Sequence, residues 1–339
     1  MAVTLHDVAR RAGVSIKTVS NVINDRPNVG KTTRALVQAA VEELGYTPNL
    51  TARGLRSGRK GAIALAVPDL ALSYFAELAA AVIEAAEAAG VVVLIEQTGA
   101  SREREVALLK SPRLNMTDGL IFSPLGMGQD DVDALRVDYP LVVLGERVFD
   151  APADHVTMHN VAGARAATEH LVSTGRRRIA VVGAHAGEVV GSAGLRLAGY
   201  REGLEAAGVA FDPELIGYSE LWHRADGANV MRELLARGVE FDAVFGLNDT
   251  LALGAMRVLQ EAGLRVPEDV AVIGFDDLDE APYAIPSLST VDPGRGWIAR
   301  TAVSLLLQRI ESGGGASTAR RHVADFQVVA RESTISPVS

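Results

Sequence analysis

The sequence contains no cysteine among its 339 residues, which excludes disulfide frameworks, thiolate catalysis and zinc or iron–sulfur centres built on cysteine. It has no uninterrupted apolar run of about 18 residues, the length a membrane-spanning helix needs. Its opening, Met1-Ala2-Val3-Thr4-Leu5-His6-Asp7, lacks the basic-then-apolar pattern of a secretory signal. A cytoplasmic protein with no membrane partner is therefore expected. Enzyme signatures are missing too. There is no His-Glu-x-x-His or Gly-x-Ser-x-Gly, no Gly-x-Gly-x-x-Gly follows a strand, and the seven histidines are scattered. No catalytic residue, cofactor or metal is expected. What is present is ample core-forming material: 48% of residues are hydrophobic and 22% charged, over a length suited to two or three domains.

Positive charge is scarce overall, with 33 Lys and Arg against 42 Asp and Glu, a net of -9. Taken alone, that balance argues against a nucleic-acid partner. The charge is unevenly spread, however. Residues 1–60 hold ten bases and four acids, a net of +6, leaving 23 bases against 38 acids, a net of -15, on the remainder. A small basic head on a large acidic body is the asymmetry of a tethered nucleic-acid binder.

Within the head, Leu5, Val8, Ala9 and Ala12 follow helical spacing, with Thr4 as N-cap and Asp7 in the first turn. Gly13 ends that helix. Ser15 caps a second over Ile16–Ile23, whose apolar face is Val19, Val22 and Ile23. A third, from about Lys31 to Leu44, is expected to bury Leu36, Val37, Ala40, Val41 and Leu44. Two short helices joined through a glycine turn form a helix-turn-helix. Ile16, Lys17, Ser20 and Asn21 point away from the apolar face of the second helix, the one that would enter the major groove. There Lys17 can donate to guanine, Asn21 can pair with adenine or a phosphate, and Ile16 can touch a thymine methyl.

The stretch Val3-Thr4-Leu5-His6-Asp7-Val8-Ala9-Arg10-Arg11-Ala12-Gly13-Val14-Ser15-Ile16-Lys17-Thr18-Val19-Ser20-Asn21-Val22-Ile23-Asn24 resembles the opening of LacI/GalR-family bacterial repressors. Glu43-Leu44-Gly45-Tyr46-Thr47-Pro48-Asn49 and Ala52-Arg53-Gly54-Leu55-Arg56-Ser57-Gly58-Arg59 are similar to that family's hinge signature. The resemblance continues through the body and covers nearly the whole chain. It implies a DNA-binding set of Thr4, Ser15, Ile16, Lys17, Thr18, Ser20, Asn21, Asn24, Tyr46, Asn49, Ala52, Arg53, Leu55 and Arg56. It further implies that 47–61 is a hinge, two copies of which order on operator DNA and insert Leu55 into the minor groove, kinking the duplex. So short a helix is marginal by itself in water. One decoy is set aside. Val29-Gly30-Lys31-Thr32-Thr33 looks like the tail of a phosphate-binding loop, but Asp25 stands where the first glycine belongs and no apolar strand precedes it.

From Ile63 onward short apolar strands alternate with amphipathic helices. The strands are expected at Ile63–Val67, Val91–Ile95, Gly119–Phe122, Leu141–Leu144, Val156–Met158, Ile179–Val182, Ala243–Phe245 and Val270–Ile273. Helices are expected at Phe75–Ala89, Ala162–Thr174, Leu195–Ala207, Ala225–Arg237, Thr250–Ala262 and Ile298–Glu311. Such alternation means parallel sheets covered by helices, and the units are too many for one sheet. The fold class expected is thus an all-α helix-turn-helix head (1–46), the hinge, and an α/β body (62–339) of two Rossmann-like halves. This matches the periplasmic-binding-protein-like core the resemblance implies, with three crossings between halves near His159–Ala162, Val291–Gly294 and Arg321–Ala324. One half then takes about 62–160 and 293–322, the other about 161–292 and 323–339.

Ligands of open parallel sheets bind beyond the carboxyl ends of the strands. Tyr74, Phe75, Arg147, Ser192, Arg196, Trp222, Asn248, Asp249 and Asp276 fall at such ends, with Asp277 beside them. Aromatic faces beside Asn, Asp and Arg suit a sugar, whose ring stacks while fixed polar groups pair with its hydroxyls. In the family the positions matching Arg196-Leu197-Ala198-Gly199-Tyr200, Leu247-Asn248-Asp249 and Ile273-Gly274-Phe275-Asp276-Asp277 touch the effector.

Three departures bear on the ligand. Gly145 stands where several relatives carry an acid, Val190 where the purine-responsive branch has arginine, and His159-Asn160 where an Asp-Asn pair is common. They weaken a purine reading and blur which sugar is bound. The tail has no leucine heptads, so a homodimer through the N-terminal half is expected rather than a coiled-coil tetramer. The faces expected are the Tyr74–Ile83 helix and the Val106–Met116 region. The expected function is a regulator, most readily a repressor of carbohydrate-metabolism genes, released from a palindromic operator by a sugar-like effector. The alternative is a corepressor-dependent regulator answering to a nucleobase, nucleoside or other metabolite. A stand-alone sugar-transport protein would share the body but needs a secretory signal and no helix-turn-helix.

Overall fold

The computed structural model describes residues 3–23, 27–46, 59–313 and 318–335. The chain divides into two units, Met1–Gly61 and Ala62–Ser339.

Among the described residues the first unit holds three helices, α1 (Leu5–Ala12), α2 (Ile16–Ile23) and α3 (Lys31–Leu44). A reciprocal capping box starts α1. The Asp7 amide donates to Thr4 Oγ1 and the Thr4 amide to Asp7 Oδ2, at 3.4 and 3.0 Å. These bonds from Thr4, then Arg10 and His6, hold the exposed Asp7 carboxyl below its usual range. Gly13 ends α1 at φ +68°, a conformation costly for any residue with a Cβ, and so sets the turn into α2. Ser15 Oγ accepts the Thr18 amide at 3.1 Å and caps α2. Val8, Val19 and Val37, one per helix, are fully buried and form the centre of the core with Ala9, Val22 and Ala40. Leu36 corrects the expectation for α3: it is 54% exposed. It lies about a quarter-turn from the centre of the Val37–Ala40–Val41–Leu44 stripe, at 100° per residue.

The second unit begins with β1 (Ala62–Val67) and contains two parallel sheets. The first runs β11-β5-β4-β3-β1-β2. Its members are β2 (Val92–Gln97), β3 (Leu120–Phe122), β4 (Leu141–Leu144), β5 (Asp154–Met158) and β11 (Arg321–Ala324). Leu65 aligns with Ile95 on one side and Ile121 on the other. Ile63, Leu65 and Val67 face one cluster, under α4 (Ser73–Ala88) and α10 (Arg295–Glu311), while Ala64 and Ala66 face another. Burial on both faces explains the unbroken apolar run of β1. The helix α5 (Arg102–Leu109), absent from the sequence reading, is capped by Ser101, which accepts the Arg104 amide.

The second sheet runs β7-β6-β8-β9, from β6 (Ile179–Ala184), β7 (Ile216–Tyr218), β8 (Ala243–Gly246) and β9 (Ala271–Ile273). It is covered by α6 (Asn160–Ser173), α7 (Ser192–Ala206), α8 (Arg224–Ala236) and α9 (Asp249–Glu261). Close packing of α6 on α7 depends on Gly199, where a Cβ would stand 2.1 Å from the Val161 carbonyl. β10 (Thr290–Asp292) and β12 (Gln327–Val329) pair antiparallel. The chain leaves the first sheet after Met158, returns between Asp292 and Arg295, and leaves again after Ala324. The third crossing is thus displaced from the expected Arg321–Ala324, because those residues are themselves strand β11, paired with β5.

Candidate functional site

The carboxyl ends of both sheets open onto one cavity of about 320 Å³. Loops that follow the strands of both sheets contribute. Tyr74 and Phe75 come from the start of α4, Gly145, Glu146 and Arg147 from the end of β4, and His185 and Glu188 from the end of β6. Trp222 precedes α8, Asn248 caps α9 and Asp276 follows β9.

Arg196 is its most connected side chain and is only 3% exposed. Its Nε donates to Asn160 Oδ1 at 2.8 Å, one terminal nitrogen to the Leu247 carbonyl, and the other to Asp276 Oδ1 at 3.3 Å. The guanidinium lies 3.7 Å from the Phe275 ring centroid and 5.5 Å from that of Trp222. Burial pushes the Asp276 carboxyl up to about 6, although Arg196 and Arg295 pull it down. Asp276 and Asp277 sit at φ +118° and +47°, uncommon for residues with a Cβ. Arg295 holds this strained turn, donating to the carbonyls of Asp276 at 2.7 Å and Asp277 at 3.3 Å. Its ion pair with Glu77, at 2.5 Å, ties the turn to α4. Tyr74, raised by burial and by the nearby Asp276 and Glu146, stays a neutral phenol.

A second polar group lies further along. Arg147 donates to Glu188 Oε2 at 2.8 Å, and His185 Nδ1 meets the same oxygen at 2.9 Å. Burial alone would raise the Glu188 carboxyl, yet the His185 hydrogen bond and the Arg147 charge bring it below its usual range. Ser192 Oγ donates to Glu146 between the two groups.

Eight of the nine predicted effector residues line the cavity: Tyr74, Phe75, Arg147, Ser192, Arg196, Trp222, Asn248 and Asp276. Asp249 is the exception and is corrected here. It is fully buried, its carboxylate accepting from the Thr290 hydroxyl at 2.6 Å and the Leu278 amide at 2.8 Å. Burial and the Asp276 charge push that carboxyl up to about 7. Its neighbour Asn248 caps α9 by accepting the Leu251 amide at 2.8 Å, while its side chain borders the cavity. Sequence reasoning missed Glu146, His185, Glu188 and Asn160. The acid lacking at Gly145 is supplied one residue later, and the signal for Glu188 was a charged residue between two glycines after a buried strand. Val190 is 41% exposed and lies outside the lining.

In the head, Ser15 and Lys17 are exposed, and Ile16, Thr18, Ser20 and Asn21 are half-buried. Thr18 is held by Ser15, their hydroxyls 2.9 Å apart. Thr4 is engaged in the α1 cap, its hydroxyl donating to Asp7 Oδ2 at 2.6 Å. Tyr46 packs partly against the head core. Asn24, Asn49, Ala52, Arg53, Leu55 and Arg56 lie outside the described residues.

Comparison with known proteins supplies the family. Residues 4–49 match the family described as bacterial regulatory proteins, lacI family, and residues 168–334 match the periplasmic binding protein-like domain. The HTH-type transcriptional regulator CelR of Thermobifida fusca is 36% identical, over 97% of this chain and 98% of its own. The chain belongs to the LacI family of bacterial regulatory proteins. Among solved structures, a LacI-family transcriptional regulator from Sanguibacter keddieii is 54% identical, covering 82% of this chain and 99% of its own, with a TM-score of 0.77. A complex of a regulator CelR with cellobiose is 34% identical over 98% and 99%, at a TM-score of 0.70. The Lac repressor dimer bound to operator and an anti-inducer is 30% identical over 99% and 100%, at 0.80. As a LacI-family regulator, the chain presents its helix-turn-helix in the first unit and the ligand-sized cavity in the second.

Proposed function

We propose that this LacI-family chain is a homodimeric, cytoplasmic transcription regulator, acting as a repressor of carbohydrate-metabolism genes. Its two heads bind the half-sites of a palindromic operator, and a neutral sugar-like effector in the cavity releases them. The observation that carries the effector class is the charge of the lining. Asp69, Glu146, Glu188, Glu220 and Asp276 face only two arginines, Arg147 and Arg196. That balance disfavours phosphorylated or otherwise anionic ligands, whereas a neutral polyol can donate hydroxyls to the carboxylates and accept from the guanidiniums. The ligand-bound relatives agree in class, since CelR is solved with cellobiose.

The heads account for the operator. Lys17 is exposed on α2, where a base edge could be read, and residues 1–60 carry the net +6. Dimerisation is supported by apolar residues left exposed on one edge of the first sheet, Val92, Leu94 and Ile95 on β2, with Met116 nearby in sequence to β3. No helix among the described residues is long and apolar enough to cross a membrane. Binding rather than catalysis is assigned to the cavity because the relatives that match nearly the whole chain, CelR of Thermobifida fusca among them, are transcriptional regulators.

A thermal-shift screen of neutral sugars, sugar phosphates, nucleosides and nucleobases tests the effector class. A cavity-bound effector at one hundred times its Kd stabilises the body by about 2.7 kcal/mol. Neutral sugars are expected to raise the melting temperature and sugar phosphates to leave it unmoved. A shift confined to nucleobases or nucleosides would overturn the sugar reading.

A further inference from the structure

Resting on the sugar reading above, we propose that the cavity has a second ring-binding subsite, read by Glu188 and Arg147. The effector is then an oligosaccharide of at least two rings rather than a monosaccharide.

The basis is a repeated arrangement. Arg196 pairs with Asp276, and the amide of Asn160, able to donate or accept, joins Arg196 at 2.8 Å. Arg147 pairs with Glu188, and the imidazole of His185, able to donate or accept, joins Glu188 at 2.9 Å. Each cluster thus presents a guanidinium and a carboxylate to the cavity, the donor and acceptor a vicinal diol needs, and His185, which also lines the cavity, adds a group of either polarity to the second. The two clusters meet at a single aromatic platform. The Arg196 guanidinium and the His185 ring each lie 5.5 Å from the Trp222 ring centroid. A ligand with one polyol ring needs one such cluster. A ligand that repeats the same chemistry uses both, with Trp222 as the shared stacking face.

The second cluster is built rather than incidental. Glu188 Oε2 carries both the Arg147 and His185 contacts, whereas Oε1 receives only the Gly194 amide, at 3.3 Å. Gly191 keeps that oxygen clear, because a Cβ there would stand 2.6 Å from it. Gly191 also holds φ +119°, which a larger residue resists. The cluster joins loops from the two sheets, so a ring held there also bears on how the halves close. Arg147 Nε and His185 Nε2 are buried without hydrogen-bond partners, which leaves the cluster short of a fully satisfied arrangement.

Isothermal titration of the full chain with glucose, galactose and ribose, and with cellobiose, maltose and lactose, tests the proposal. At least one disaccharide is expected to bind tenfold or more tightly than either of its component rings. Glu188→Gln is expected to shrink that disaccharide-to-monosaccharide ratio at least tenfold. The paired replacement Arg147→Gln with Glu188→Gln leaves no lone buried charge, so it should lose the same ratio while melting near the parent. Should a monosaccharide bind as tightly as any disaccharide, or should these variants weaken both sugar classes equally, the second subsite is overturned and the sugar reading stands. Should no sugar of either size bind, the sugar reading itself fails, and the subsite with it.

Discussion

Arg196→Met is expected to abolish effector binding and to lower the unfolding free energy of the body by about 3–5 kcal/mol, the usual cost of stranding one member of a buried ion pair. Arg196 and Asp276 are 3% and 5% exposed at their side chains, so water cannot replace the lost partner. The same substitution frees Asn160 Oδ1 and the Leu247 carbonyl, each of which accepts from the guanidinium. Methionine keeps much of the stem volume, which confines the loss to charge and hydrogen bonding. Adding Asp276→Asn removes the stranded carboxylate. The double variant should therefore regain part of the stability without regaining binding. Urea unfolding followed by fluorescence of the chain's two tryptophans, with titration calorimetry alongside, separates these effects. A single variant as stable as the parent, or one that still binds effector, would remove Arg196 from the centre of the site.

Effector affinity is expected to fall about tenfold for each pH unit below 6 and to level off above 7. Asp276 is held up to about 6 by burial, against the pull of Arg196 and Arg295. A hydroxyl that donates to its carboxylate favours the ionised form, so binding at pH 5 must first remove a proton. Stability without ligand runs the opposite way. A carboxyl whose folded-state pKa is raised contributes stability that is complete below its unfolded value, near 3.8. That contribution is lost as pH rises through about 6 for Asp276 and about 7 for Asp249. Between pH 5 and 7.5 the ligand-free body should thus lose this contribution while gaining affinity. Asp276→Asn, which retains an acceptor oxygen, should flatten the affinity profile. Affinity that is constant from pH 5 to 7.5 in the parent would show that no ligand group depends on ionised Asp276.

Much of this arrangement was legible in the sequence because its signals are local. The head is spelled out by Thr4 and Asp7, by Gly13 at its turn, and by valines at helical spacing. Unbroken apolar runs such as Ala62–Val67 mark strands covered on both faces, and the residues just beyond them face the cavity. The failures share a cause: they depend on where neighbouring elements fall. Asn248 and Asp249 are adjacent in sequence, yet one borders the cavity and the other turns beneath the strands toward Thr290, a choice made by the path of β10. Glu188 gains its role only because Arg147, 41 residues away, meets it from the other sheet. β11 and β12 are three or four residues long and partly exposed, too short to carry an alternating pattern.

Release by an effector requires that operator and effector oppose one another on the same molecule. Duplexes selected by the full chain from a random pool should converge on a palindrome. Anisotropy titrations of that palindrome, with and without the sugar giving the largest thermal shift, then measure the coupling directly. The expected result is that saturating sugar weakens operator binding by about 5–150-fold and that saturating operator weakens sugar binding by the same factor. Operator affinity unchanged by a sugar that demonstrably occupies the cavity would contradict an effector-released repressor.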